Sequence, residues 1–185
     1  MKKVAISMLC CLFISVLASG QAHASQTNQY APYSDFQELK AAYIQAIDSG
    51  DTDQQREIYN IAKSTLESEV ESANALLENV PALTADQDEQ YWAAQFPKLF
   101  ASGNWISRDT GISLSLNPYT VVSHGTQADA ARGWNSAYAK FHRDHRWKNT
   151  KSMEGQYYCH YRNAKVKPQW NIEPWRTSFD PVFCN

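Results

Sequence analysis

The stretch CHYRNAKVKPQWNIEPWR, residues 159–176, gathers the residue types that do chemistry: an imidazole (His160), a carboxylate (Glu173) and two guanidiniums (Arg162, Arg176) among tryptophans. A carboxylate beside an imidazole is the minimum apparatus for general acid–base work, because it fixes the tautomer and stabilises the cation. On that reading His160 and Glu173 form the catalytic pair, His124 assists, and Arg176 or Arg162 holds an anion. The plainer reading pairs Glu173 with Arg162 or Arg176 and leaves His160 an incidental surface residue; exposed pairs of this kind contribute little. The plainer reading is preferred for catalysis, and Arg162, Asn171, Trp175 and Arg176 are then candidate binding residues.

Other candidates are thinner. His124-Gly125 precedes a helix start, where backbone N–H groups can hold an anion, although a tight turn capped by the histidine explains the pair as well. His142 and His145 have i, i+3 spacing but no convincing third ligand, so no metal site is expected. The chain has no Gly-rich phosphate loop, Gly-x-Ser-x-Gly elbow, His-Glu-x-x-His or Cys-x-x-Cys, and no cofactor is implied.

Strand alternation is what would bring the candidates together. Gln156 to Arg162 and Gln169 to Glu173 read as two strands of a hairpin turning at Asn163-Ala164-Lys165. Setting apolar against apolar puts Cys159 opposite Ile172 and His160 opposite Asn171, with Glu173 one diagonal step away. His160, Arg162, Asn171 and Glu173 then share one surface. Pro174 interrupts the ladder, so Trp175 and Arg176 project from the sheet edge.

The rest of the chain supplies the frame. A Ser34–Gln37 capping box opens a helix to about Asp48, and Asp51 caps a second whose stripe runs from Ile58 to Val80, ending at Pro81. A third begins at Thr84 and reaches Phe96 or slightly beyond, where Pro97 disturbs it. From Ser102 the texture changes: Trp105-Ile106, a turn at Asp109-Thr110-Gly111, and Ile112, Leu114 and Leu116 alternating with serines read as a hairpin. Tyr119 to Ser123 reads as a further strand. Thr126 and Asp129 cap a helix to about His142, and a basic loop follows to Ser152. The fold class is therefore α+β: an N-terminal helical hairpin with a third helix, then a small antiparallel sheet packed on one helix with a disulfide.

Lys2 and Lys3, an apolar run from Val4 to about Ala18, and Ala22 and Ala24 before the cut have the form of a cleaved signal peptide, residues 1–24. The run is too short to span a bilayer, so the mature chain is expected to be exported, periplasmic or extracellular, and not membrane-spanning. Cys159 and Cys184 remain as an even pair in an oxidising compartment, and a disulfide is expected; free thiols or a cysteine nucleophile are the alternative.

Residues 25–33 read as a disordered leader, 34–101 as an acidic helical region, and 102–185 as a basic, aromatic-rich α+β domain. Residues 25–100 hold four Lys or Arg against thirteen Asp or Glu, whereas 101–185 hold eleven against six. A solvated helical face explains the acidic half; the sharper possibility is that it lies against the basic half and covers it.

The run KPQWNIEPWR, the upstream Cys159-His160 pair and the late Cys184 resemble the bacterial secreted family called domain of unknown function 2599. Its pattern is matched by Lys167-Pro168, Trp170-Asn171 and Glu173-Pro174-Trp175-Arg176, with His124-Gly125 and Gly133-Trp134 further upstream. Ile172 and Thr177 depart mildly from it. The resemblance covers about residues 105–185; it implies the domain boundary and the disulfide, and no mechanism. The leading expectation is a binding module acting on a cell-envelope component or protein partner through its basic aromatic C-terminal face. The alternative is a small secreted hydrolase or toxin-like effector. Export argues against nucleic acid as the partner.

Overall fold

The computed structural model describes residues 28–77 and 85–184. The expected signal peptide lies outside them, as do the expected end of the second helix at Pro81 and the Thr84 start of the third.

Asp35, one residue later than expected, caps α1 (Phe36–Ser49), its carboxylate accepting from the Gln37 and Glu38 N–H groups at 2.8 and 2.9 Å. A carboxylate is a stronger acceptor for first-turn N–H groups than a hydroxyl, which frees Ser34 to bond Glu38 instead. Gly50 ends the helix at φ 73°, and Asp51 caps α2 (Thr52–Ala75) as expected. The short turn folds α2 back on α1, burying Phe36, Leu39 and Tyr43 against Ile58 and Ala62, together with Val182 from the other end of the chain. Residues 28–33, expected to be disordered, are turns laid on this hairpin. Tyr30 packs on Phe36 with ring centroids 6.0 Å apart, and the Thr65 hydroxyl donates to the Gln29 carbonyl at 2.9 Å.

α3 (Ala85–Leu99) runs directly into β1 (Phe100–Arg108), which pairs antiparallel with β2 (Gly111–Pro118) across the expected turn. β2 pairs in turn with β3 (Trp170–Ile172), so the sheet order is β1-β2-β3. Tyr119 to Ser123 is not a strand. It forms a single helical turn, α4 (Thr120–Ser123), because the Tyr119 carbonyl gathers the N–H groups of Val122 and Ser123 at 2.9 and 3.0 Å. α5 (Gln127–Phe141) carries the expected capping box of Thr126 and Asp129.

The larger correction concerns residues 156–162. They belong to a helix, α6 (Thr150–Asn163), and the hairpin they were expected to form does not exist. Ile172 faces Leu114 rather than Cys159, and Asn171 faces Ser115 rather than His160. α6 is buried on nearly every side, from Ser152 and Met153 through Gly155 to His160, so its sequence carries no polar face to reveal a helical period.

Leu66 and Ala73 of α2 and Phe96 of α3 share one core with Leu114, Leu116, Trp134, Tyr157 and Trp170. The acidic helical region and the sheet-bearing region are thus joined by packing. Gly133 sets the approach of α5 to α6: a Cβ there would lie 2.2 Å from the Tyr157 hydroxyl, which donates to the Ala130 carbonyl at 2.9 Å. Cys159 and Cys184 form a disulfide, with 5.3 Å between their Cα atoms, that ties α6 to the end of the described chain. Among the described residues no helix is long and apolar enough to cross a membrane.

Candidate binding site at the end of the sheet

The sequence-predicted residues do not share one surface: Glu173, Trp175 and Arg176 lie where the chain leaves β3, His160 is buried under β3 against Trp170, and Arg162 turns toward the α1–α2 hairpin. Glu173 leaves β3 with its main chain gripped by Gln156: its N–H donates to the amide oxygen at 2.7 Å, and its carbonyl accepts from the amide nitrogen at 3.1 Å. The carboxylate is buried, and it accepts from Arg108 at 3.3 Å, from the Thr110 hydroxyl at 3.4 Å and from Arg176 Nε. Two guanidiniums therefore face one carboxylate, and the cluster keeps a net positive charge. The loop that follows is pinned by Asn149, whose amide donates to the Pro174 carbonyl at 2.8 Å.

Beyond Pro174, Trp175 is 42% exposed, and the Arg176 guanidinium lies 4.5 Å from its ring centroid. The indole rests on Gly111, the first residue of β2 after the turn. Gly111 has φ 134°, and a Cβ there would come within 2.9 Å of the indole nitrogen, so turn geometry and the tryptophan's seat both require glycine. Asn171 points to the face of the sheet opposite Trp170 and Ile172, and its buried side-chain oxygen has no partner among the described residues. This end of the sheet is a fixed arrangement of an indole and two guanidiniums around one carboxylate.

His160 and Arg162 are elsewhere. His160 is 7% exposed and stacks on Trp170 with ring planes 10° apart and centroids 6.1 Å apart, and among the described residues neither ring nitrogen makes a hydrogen bond of good geometry. Burial pulls its imidazole down to about 4; Lys167 acts in the same direction, and the Asn171 main chain and Glu173 oppose it. Because Glu173 is committed to Arg108, Thr110 and Arg176, the expected acid–base pair is not assembled: no hydrogen bond joins the two side chains.

His160 instead has a consequence for stability. The unfolded ring titrates near 6.5, so between about pH 6.5 and pH 4 the unfolded chain binds the extra proton and stability falls as pH falls. The expected loss is about 3 kcal/mol when complete. Urea unfolding at pH 7 and pH 4.5 checks this: in His160→Phe, which keeps a ring on Trp170, the pH-dependent loss shrinks by most of that amount, and an unchanged loss contradicts it.

Arg162, expected on a binding surface, is an internal clamp. Its guanidinium lies 3.5 Å from Glu69 of α2 and 5.4 and 5.9 Å from the ring centroids of Phe36 and Tyr30. Glu89 of α3 similarly meets Arg143 at 2.6 Å. The acidic helices thus lie against part of the basic region, although among the described residues Arg108 and Arg176 pair with Glu173 and not with those helices. Burial holds the Glu69 carboxyl above its usual range, with Arg162 opposing.

His124 is exposed on the turn after α4, its Nδ1 2.9 Å from the Ser123 hydroxyl, with no bond to His160 or Glu173. Gly125 is needed beside it, since a Cβ would lie 1.9 Å from the Val121 carbonyl oxygen. His142 Nδ1 bonds the Tyr138 carbonyl and His145 sits beside Asp144, so the two rings serve different partners. No group of three or more His, Cys, Asp or Glu is placed to hold a metal among the described residues.

Sequence reasoning missed Arg108, Thr110 and Gln156. Arg108 and Thr110 flank a turn that was legible as a turn, but 65 and 63 positions separate them from Glu173, and nothing local signals that meeting. Residues 100–183 match the model of a family described as protein of unknown function (DUF2599). No curated protein and no solved structure matches the chain.

Proposed function

Since residues 100–183 match the DUF2599 family model, whose description names no activity, we propose from the chain's own geometry that it is an exported binding module for an anionic cell-envelope polymer. The observation that carries this reading is the Trp175–Arg176–Arg108 cluster: a half-exposed indole and two guanidiniums around one buried carboxylate. A flat aromatic face takes up a sugar ring or apolar backbone, and the surplus positive charge takes up an anionic substituent. Arg176 is held by Glu173 and stacked on Trp175, so little side-chain freedom remains to be lost on binding. Export is supported by the Lys2-Lys3, apolar-run and Ala22-x-Ala24 pattern at the N-terminus.

The hydrolase alternative draws no support from His160, which is buried, held in its neutral form by burial near neutral pH, and unbonded to Glu173. Co-sedimentation with purified cell-wall sacculi and with an anionic polysaccharide, at about 50 and 200 mM salt, tests the binding reading. Binding is expected to weaken with salt and to fall roughly tenfold in Trp175→Ala, with the far-ultraviolet circular dichroism unchanged. Binding indifferent to Trp175→Ala, or a polymer-cleaving activity lost in His160→Phe, would sink it.

A further inference from the structure

The two edges of the sheet are finished differently. β3 is covered on its outer side by α6, whose Gln156 amide takes up the main-chain N–H and carbonyl of Glu173. β1 is the other edge. Among the described residues no backbone group other than those of β2 bonds the backbone of residues 102–108, so the N–H and C=O groups that point away from β2 are open. Exposed edges are normally blunted by proline, lysine or a bulge within the strand. The segment SGNWISR has none of these: the register shift is confined to Phe100/Ser102, and Arg108, its one charge, reaches across β2 to Glu173.

An edge of this kind takes another strand, and its own copy fits it. Two regular segments 102–108 that pair antiparallel about a two-fold axis use their whole length only when the axis passes through the midpoint, Trp105. Ser102 then faces Arg108 of the second copy, Gly103 faces Ser107 and Asn104 faces Ile106, so no like charges stand opposite one another. The two Trp105 indoles meet at the axis. Arg146 lies 4.9 Å from the Trp105 ring centroid, but its charge is already met by Asp144, which accepts from it at 2.8 and 2.6 Å. One residue beyond the ladder, the exposed Asp109 of one copy comes to the α3–β1 junction of the other. Lys98 is exposed there, bonded to the neutral Gln95 side chain at 3.1 Å. By symmetry this complementary contact occurs twice.

We propose that β1 is a dimerisation edge: two copies of this chain pair antiparallel along residues 102–108 about Trp105, joining their three-stranded sheets into one. The pairing does not rest on the binding reading given above. Combined with that reading, the two-fold axis sets both Trp175–Arg176 clusters on the same face of the joined sheet. Strand spacing and residue rise put them about 25 Å apart, so one repeating polymer can engage both.

Sedimentation velocity of the native protein across about 1–500 μM tests the proposal, with a dimer Kd on the order of 10 μM expected for an interface of modest size. Asn104→Lys, at an exposed position one residue from the axis, brings two like charges together. It is expected to stay monomeric throughout that range with unchanged far-ultraviolet circular dichroism. Lys98→Glu and Asp109→Lys each weaken dimerisation about tenfold. An equimolar mixture of the two recovers the native affinity, because each copy then meets the opposite charge on the other. A native chain monomeric throughout, unaltered dimerisation in Asn104→Lys, or a mixture no tighter than its components overturns the proposal. Lys98 and Asp109 are both exposed, so the mixture decides the matter even if Asn104→Lys misfolds. Polymer binding by a purely monomeric chain sinks the dimer and leaves the function proposed above standing.

Discussion

Arg162→Ala lowers the unfolding free energy by about 3–5 kcal/mol, the range expected when one member of a buried ion pair is removed and the other stays behind. The Arg162 side chain is 8% exposed, and the Glu69 carboxylate it leaves is 16% exposed. After the substitution Glu69 loses its ion-pair partner and, among the described residues, has the Gln29 amide at 3.2 Å as its hydrogen-bond donor. The loss has a second part, because the guanidinium fills the space beside Tyr30 and Phe36, which close the α1–α2 hairpin over α6. Arg162→Lys is therefore expected to recover only part of the stability, since an ammonium cannot lie flat against two rings. Arg162→Met combined with Glu69→Leu separates the effects: with both charges gone and the volume kept, stability should return to near that of the native chain. Equilibrium urea unfolding measures all of these variants. A loss below about 1 kcal/mol in Arg162→Ala would show that the clamp does not hold the helices.

Cys184→Ser is expected to cost about 2–5 kcal/mol. The bridge closes a loop across a sequence separation of 25, for which the chain-entropy relation gives about 3.5 kcal/mol. The bond also does specific positional work, since Asp180, Val182 and Cys184 are the residues that return to α1 and α6. Tyr43 donates to Asp180 at 3.3 Å, and Val182 is buried among Phe36, Leu39 and Ile58. Without the bridge that tail must be held by these contacts alone. Thermal unfolding with and without reductant gives the comparison: the native protein should lose stability under reduction while Cys184→Ser is unaffected by it. Identical melting of the two proteins without reductant would contradict the expectation.

The parts of the fold that were readable are those whose local chemistry is one-sided. α2 pairs an apolar stripe with a charged face, α5 announces itself with Thr126 and Asp129, and β2 alternates leucine with serine. α6 fails that condition. Tyr157, Tyr158, Cys159 and His160 are all buried, so neighbouring helices and β3 supply what would otherwise be its polar face, and an aromatic run without periodicity looks like a strand.

That single misreading moved the candidate site. With α6 taken as a strand, His160 and Arg162 fall on one surface with Glu173; as a helix, it turns His160 onto Trp170 and Arg162 into the α1–α2 hairpin. The Glu173-Pro174-Trp175-Arg176 segment kept its expected character because proline and local spacing define it. Its true partners, Arg108 and Thr110, come from a hairpin some sixty residues earlier, and only the pairing of β2 with β3 brings them into reach.

Val182, lodged between α1 and α2, has a consequence for the order in which the molecule is made. The first two helices leave the ribosome early, yet the residues that complete their burial, Arg162, Asp180 and Val182, follow much later in the chain. Contacts across such separations form slowly, and until they form the hairpin has an open apolar seam. The α1–α2 hairpin of a nascent chain stays loose until residues 162–182 have been made. Closure of the hairpin therefore depends on the 180–184 segment, and the Cys159–Cys184 bridge holds that segment in place once both cysteines are present.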